Sequence, residues 1–238
     1  MEISIAVVLI LAVSASRRDL QERRDDFFTV IGFLLYGVLG SRFLLFLGSR
    51  LQRSYDVVFL RADAALGFNP IRFAELASHH GLLMIVLILS YSLLPATIGA
   101  AWALEHDKTM RTAILLGGCV CFIFYGALPA VGPGHFDWHH GIALNGSPPN
   151  CIPSMHFTWA LLIAVNAHSR RLRLALWIYA ALVAMATIAL REHYLVDLVA
   201  ATPYTFAIQW IAARLGSSQK SESFAARVWP RDGDADAL

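Results

Sequence analysis

Charge is scarce in this sequence: Asp, Glu, Lys and Arg make up 15% of 238 residues, while 57% are hydrophobic. With a mean hydropathy of +0.57, that balance excludes an ordinary soluble globular domain. The net charge is only +2, and no nucleic-acid partner is expected. Cysteine is also rare, and three residues do not make a disulfide scaffold. Cys119 and Cys121 lie two apart in an apolar run, so they face different sides of a helix. Cys151, beside a polar loop, reads as a small packing residue. No repeat of fixed period is present.

What is abundant is long apolar runs. They approach the ~20 residues that cross ~30 Å of hydrocarbon at about 27–48, 82–104, 111–131, 153–168, 172–190 and 194–214. A shorter run at 2–15 is read as a seventh span. It resembles a signal peptide near Ala12–Ser16, but Glu2 precedes it while Arg17, Arg18, Arg23 and Arg24 follow. Signal peptides carry positive charge before the apolar segment, so an uncleaved anchor with its N-terminus outside is expected. The chain divides into an N-terminal membrane anchor and cytoplasmic loop (1–26), a catalytic membrane helical domain (27–215) and a disordered cytoplasmic tail (216–238).

Sidedness follows from Lys and Arg in the short loops. Lys108 and Arg111 join two spans, Arg170, Arg171 and Arg173 join two others, and Arg214 and Lys220 follow the last. Those ends are expected to be cytoplasmic. Gly132 to Ile152 contains neither Lys nor Arg, so that loop faces away from the cytoplasm, together with the turn at Arg191-Glu192-His193. Segment 49–81 is long for a connection. Asn69-Pro70 reads as an N-cap followed by proline at the first helical position, opening either an ordinary connecting helix or an interfacial gate.

Two stretches at the outer ends of apolar runs carry ionisable groups that are costly at membrane depth: Pro153-Ser154-Met155-His156, and His193-Tyr194-Leu195-Val196-Asp197. His193 and Asp197 are four apart and share a helix face. The carboxylate can fix the imidazole tautomer, leaving the other nitrogen free for nucleophilic attack; a structural His–Asp pair is the competing reading. At the other stretch, the free N–H groups of Ser154, Met155 and His156 can hold an anion at the positive end of a helix dipole. Ser154 adds a hydroxyl donor, and His156 a titratable acid/base.

Pro-Ser-x-His followed by His-Tyr-x-x-Asp about one helical hairpin later resembles the type-2 phosphatidic acid phosphatase superfamily, over roughly residues 120–214. The two motifs look most like the branch containing inositol phosphorylceramide synthases. The resemblance implies an all-α, polytopic membrane bundle with a six-helix core, here with an additional N-terminal transmembrane helix. It also implies no metal requirement, no cofactor and a covalent phosphohistidine intermediate. By position, His193 is the nucleophile, Asp197 its orienting partner, His156 the general acid/base and Ser154 a phosphate ligand.

The sequence departs from the phosphatase members at their cations. Ala186-Thr187 stand where the last motif has Ser-Arg, and Tyr125 and Gly132-Pro133 stand where Lys and Arg-Pro are found. A phosphomonoester dianion would lack its usual clamps, which favours transfer of a less charged diester. Arg191, Arg42 and His135 are the candidate replacements. His135, Asp137, His139 and His140 also admit a metal-ligand reading, but no metal site is expected. Expected partners are the membrane and a lipid substrate, whether phospholipid, sphingolipid or isoprenoid phosphate, with a polyol or lipid acceptor. Competing readings are a lipid-phosphate or polyprenyl-pyrophosphate phosphatase and a proton-coupled transporter.

Overall fold

The structure is a computed structural model describing residues 20–50, 54–105, 107–144 and 147–228, with the side chains of 20–26, 30 and 217–228 left undescribed. The expected span at 2–15 lies outside the described residues. In chain order the helices are α1 (Leu20–Arg50), α2 (Asp56–Ala65), α3 (Pro70–Ser78), α4 (Gly81–Ser92), α5 (Leu94–Glu105), α6 (Lys108–Ala127), α7 (Met155–Asn166), α8 (Arg170–Ala189) and α9 (Leu195–Val228). A two-residue antiparallel pair, β1 (Phe136–Asp137) and β2 (Ile142–Ala143), sits in the loop before α7.

The protein is an all-helical, multi-pass membrane protein. Phe27–Arg50 of α1, α6, α8 and Leu195–Gly216 of α9 are each long and apolar enough to cross a bilayer. The run at 82–104 resolves into α4 and α5, which part at Leu93, and α7 is a shorter apolar helix. Past Gly216, where the sequence reading places the tail, α9 continues as helix to Val228.

Helix α7 is the core. Ala160, Leu162, Ile163 and Ala164 are fully buried, and α5, α6, α8 and α9 all pack on it. A helix enclosed on all sides is apolar all round, which explains its lack of charge. The peripheral helices expose Leu34, Leu35 and Val38 of α1, Ile85 and Ile88 of α4 and Ile178 of α8, as lipid contact requires. Lipid tails give helices little hydrophobic reason to associate, so close packing and interhelical hydrogen bonds matter more. A Cβ on Gly118 would clash with the Tyr36 ring of α1, and one on Gly117 would press Ile208 of α9 at 3.4 Å. Asn166 and Gln209 exchange side-chain hydrogen bonds at 2.9 and 2.7 Å, locking α7 to α9.

Segment 49–81 forms the two short helices α2 and α3. Asn69 caps α3 as the sequence predicts, its Oδ1 accepting the Arg72 N–H at 3.0 Å with Pro70 at the first position. The chain then bends by 117° into α4. Helix α2 is tied by the Tyr55 N–H to Pro129 O at 2.8 Å and touches α9. It therefore lies at the end of the bundle where α6 and α8 finish and α7 and α9 begin.

Candidate active site

The starts of α7 and α9 are joined by one backbone bond, from Ser154 N–H to Asp197 O at 3.3 Å. Ser154 is the N-cap residue of α7, preceded by a cis Ile152–Pro153 bond. Its amide, expected to be free for an anion, is thus occupied. Its buried Oγ has no hydrogen-bond partner among the described residues, and neither have Thr158 Oγ1 and Asp197 Oδ1. His156, in the first turn of α7, stacks on Tyr91 of α4 with ring centroids 4.0 Å apart and planes 17° from parallel.

At the start of α9, His193 Nδ1 lies 3.3 Å from Asp197 Oδ2, and both side chains are buried. The same Oδ2 accepts the Tyr194 N–H at 2.8 Å. The turn that delivers His193 from α8 is tight. Arg191 adopts a left-handed φ of 61°, rare for a residue with a Cβ. Thr187 O accepts the N–H groups of both Glu192 and His193. His156 follows Ser154 by two residues, so the Ser154–Asp197 bond brings its helix start beside the one that carries His193.

Two residues of this end were missed in the sequence. Asp56 and Asp63, both fully buried, lie seven apart on α2 and so share a face. Asp56 accepts the N–H groups of Val131 and Gly132 at 3.0 and 2.9 Å, the Tyr194 hydroxyl at 2.7 Å and the Ser54 hydroxyl. Asp63 accepts the N–H groups of Leu195 and Val196, each at 2.8 Å. Burial raises the Asp63 carboxyl above its ordinary range; those amides pull it down, and the charge of Asp197 pushes it up. The available signal was an Asp pair at helical spacing in a segment otherwise read as a connector.

The positions that hold cations in the phosphatase pattern are occupied by other chemistry. Tyr125 is buried and donates its hydroxyl to Pro153 O at 3.3 Å. Gly132 has φ +91°, and a Cβ there would collide with Glu192 O; no Arg fits this backbone. Thr187 is buried, its hydroxyl bonded to Ala184 O. Of the candidate replacements, Arg191 stands 4.0 Å from Glu75 and His135 3.4 Å from Glu192, both beside the site. Arg42 is exposed on α1, with no bond or ring contact linking it to the other site residues.

Among the hydrogen bonds of the loop histidine rings, that of His140 meets Asp137, while that of His135 turns to Glu192. Asp137 Oδ1 accepts the backbone N–H groups of His139 and His140, and its Oδ2 pairs with His140 Nδ1 at 2.7 Å. The hydrogen bond from His140 holds the Asp137 carboxyl below its ordinary range. Among the described residues, Cys151, His193 and Asp197 bring possible metal-ligand atoms within 4.8 Å of one another. Burial, followed by the charges of Asp197 and Asp56, pushes the Cys151 thiol well up. It is held as a thiol rather than the thiolate that binds metals, which fits its packing beside Phe59 and Tyr194.

The assembly is a buried imidazole oriented by a carboxylate, a second imidazole on the adjoining helix start, and the unpartnered hydroxyl of Ser154 at that same start. Such groups can attack, protonate and hold a phosphorus centre. Searches for similar characterised proteins and for similar solved structures find no match. A family profile described as PAP2 superfamily matches residues 57–211, a range that begins in α2 and ends in α9. The chain therefore belongs to the PAP2 superfamily and is a membrane enzyme of the phosphatase type.

Proposed function

We propose that this protein is a lipid phosphotransferase of the inositol phosphorylceramide synthase-like kind, acting at the extracytoplasmic face. The observation that carries the reading is the charge of the site. Tyr125, Gly132 and Thr187 fill the three cation positions, while Asp56, Asp63 and Asp197 are buried at the same end of the bundle, Asp56 bonded to the Gly132 N–H and the other two to the start of α9. A phosphomonoester dianion brought here meets carboxylates without the clamps that would offset them. A phosphodiester carries one negative charge and suits this field better.

The chemistry follows from the hydrogen bonds. Asp197 holds Nδ1 of His193, leaving Nε2 to attack phosphorus in line. As the N–P bond forms, the bond to the leaving oxygen breaks and His156 protonates that oxygen. His156 then takes a proton from the acceptor hydroxyl, whose oxygen displaces His193. The Ser154 hydroxyl can donate to a non-bridging oxygen. Arg191 and His135 can turn from their carboxylate partners toward the phosphoryl group. In such a reaction positioning and charge stabilisation supply most of the acceleration. Sidedness is supported by Lys108, Arg111, Arg170, Arg171 and Arg173 at the starts of α6 and α8, the bundle end away from His193.

The test follows phosphorus label from a diester lipid and, separately, from a monoester lipid phosphate, with and without an alcohol-bearing acceptor. Label passing from the diester to the acceptor supports transfer. Free phosphate from the monoester, with the diester untouched, makes the protein a phosphatase. Proton flux lost in His193→Gln, with no labelled product from either donor, makes it a transporter.

A further inference from the structure

Every α-helix begins with backbone N–H groups that need acceptors, and α9 meets that need in an unusual way. Its N-cap position is Tyr194, whose phenol cannot fold back to accept them. Asp197, at the third helical position, returns its Oδ2 to the Tyr194 N–H, which is one half of a capping box. The other half is absent locally. The N–H groups of Leu195 and Val196 instead go to Asp63, 132 and 133 residues away in the chain.

This arrangement bears on the nucleophile because Asp197 Oδ2 is shared. The oxygen that accepts the Tyr194 N–H also holds His193 Nδ1. Any shift of the first turn of α9 therefore moves the carboxylate against the imidazole. Asp56 constrains the same turn from the other side, through the Tyr194 hydroxyl and through the amides of Val131 and Gly132. Gly132 in turn packs against the Glu192 carbonyl, one residue before the nucleophile. Both sides of His193 are thus referenced to one face of α2.

We propose that Asp63 and Asp56 are positioning residues for His193, with α2 as the rigid bar that sets the angle between the nucleophile and its carboxylate. Carboxylates suit the task because each oxygen only accepts. An Asn at 63 keeps one acceptor and turns an NH₂ group toward the remaining N–H, so the first turn must shift. The catalytic part of this inference rests on the phosphotransfer reading, whereas the geometric part can be read without any substrate.

The experiment uses the purified full chain in detergent, with ¹⁵N-labelled histidine, comparing wild type with Asp63→Asn and Tyr194→Phe. The His193 signal is identified by its loss in His193→Gln. In Asp63→Asn the His193 Nδ1–H resonance is expected to move or broaden while the other histidine signals stay. Turnover with the labelled diester is expected to fall about 10- to 100-fold with KM changed by less than about twofold. Tyr194→Phe, which cuts only the phenol bond to Asp56, is expected to shift the same resonance less and to lower kcat less. If Asp63→Asn does not fold, Tyr194→Phe decides the matter by the same two readouts. An unmoved His193 resonance with wild-type kcat per folded molecule overturns the proposal. A wild type that transfers no label, yet whose His193 resonance responds to Asp63→Asn, refutes the functional reading and leaves the positioning role standing.

Discussion

Helices α6 and α9 both begin at an aspartate cap, and the two caps are built differently. At α6 the cap is local: Asp107 precedes the helix and its Oδ1 accepts the N–H groups of Thr109 and Met110 at 2.7 and 3.3 Å. At α9 the cap comes from Asp63 on another helix, because the residues beside the helix start are otherwise engaged. Tyr194 reaches Asp56, and Asp197 holds His193. A helix start that only has to end neatly caps itself. One that aims a nucleophile gives up its own cap and takes one from elsewhere in the fold.

Removing a carboxylate at each end should separate these roles. The largest effect is expected from Asp197→Ala, which frees His193 Nδ1 and the Tyr194 N–H together. Turnover should drop by roughly 10³- to 10⁴-fold, as when a triad loses its orienting carboxylate, measured as initial label transfer. A third helix start sharpens the contrast, since at α7 the Ser154 side chain caps nothing and His156 is steadied by the Tyr91 ring. Tyr91→Leu should lower kcat about tenfold, whereas Tyr91→Phe, which keeps the stack, should stay within about twofold of wild type. Equal losses in both variants would show that the hydroxyl, not the ring face, matters.

At α6, Asp107→Ala should cost about 1 kcal/mol of stability, the usual worth of a lost N-cap. Turnover per folded molecule should be unchanged. Thermal unfolding in detergent alongside the label assay checks both. The smallest effect concerns Asp137, the half-buried cap of the β1–β2 loop. Its carboxyl is held below the ordinary 3.8 by His140. The stabilisation is therefore complete above that value and is lost as pH falls through the lowered one. Trp138 fluorescence should stay flat above that range and change only at more acid pH. Asp137→Asn should abolish the change.

Much of this architecture could be read from the sequence because it is local. The apolar runs from residue 27 onward are helical, Asn69-Pro70 caps α3, and Cys119 and Cys121 take opposite environments, exposed and buried. The His193–Asp197 pair was visible as an i, i+4 spacing that geometry alone enforces. What escaped was non-local. Asp56 and Asp63 look like ordinary polar residues of a connector, and only the folded path of α2 brings them to residues 131 and 195. The stack of Tyr91 on His156 joins residues 65 apart, with no pattern in either stretch to announce it. The Ser154 amide, free by its local sequence, is occupied for the same reason, since its acceptor, Asp197 O, lies on another helix.

Phosphotransfer by this site requires phosphorus to pass through His193. The most direct measurement is to quench the wild-type protein in base during turnover of the labelled diester and map the label to a peptide. An acid-labile, base-stable phosphoryl group is expected on residue 193, absent from His193→Gln and prolonged when the acceptor is withheld. Label on any other residue, or turnover persisting in His193→Gln, would contradict it.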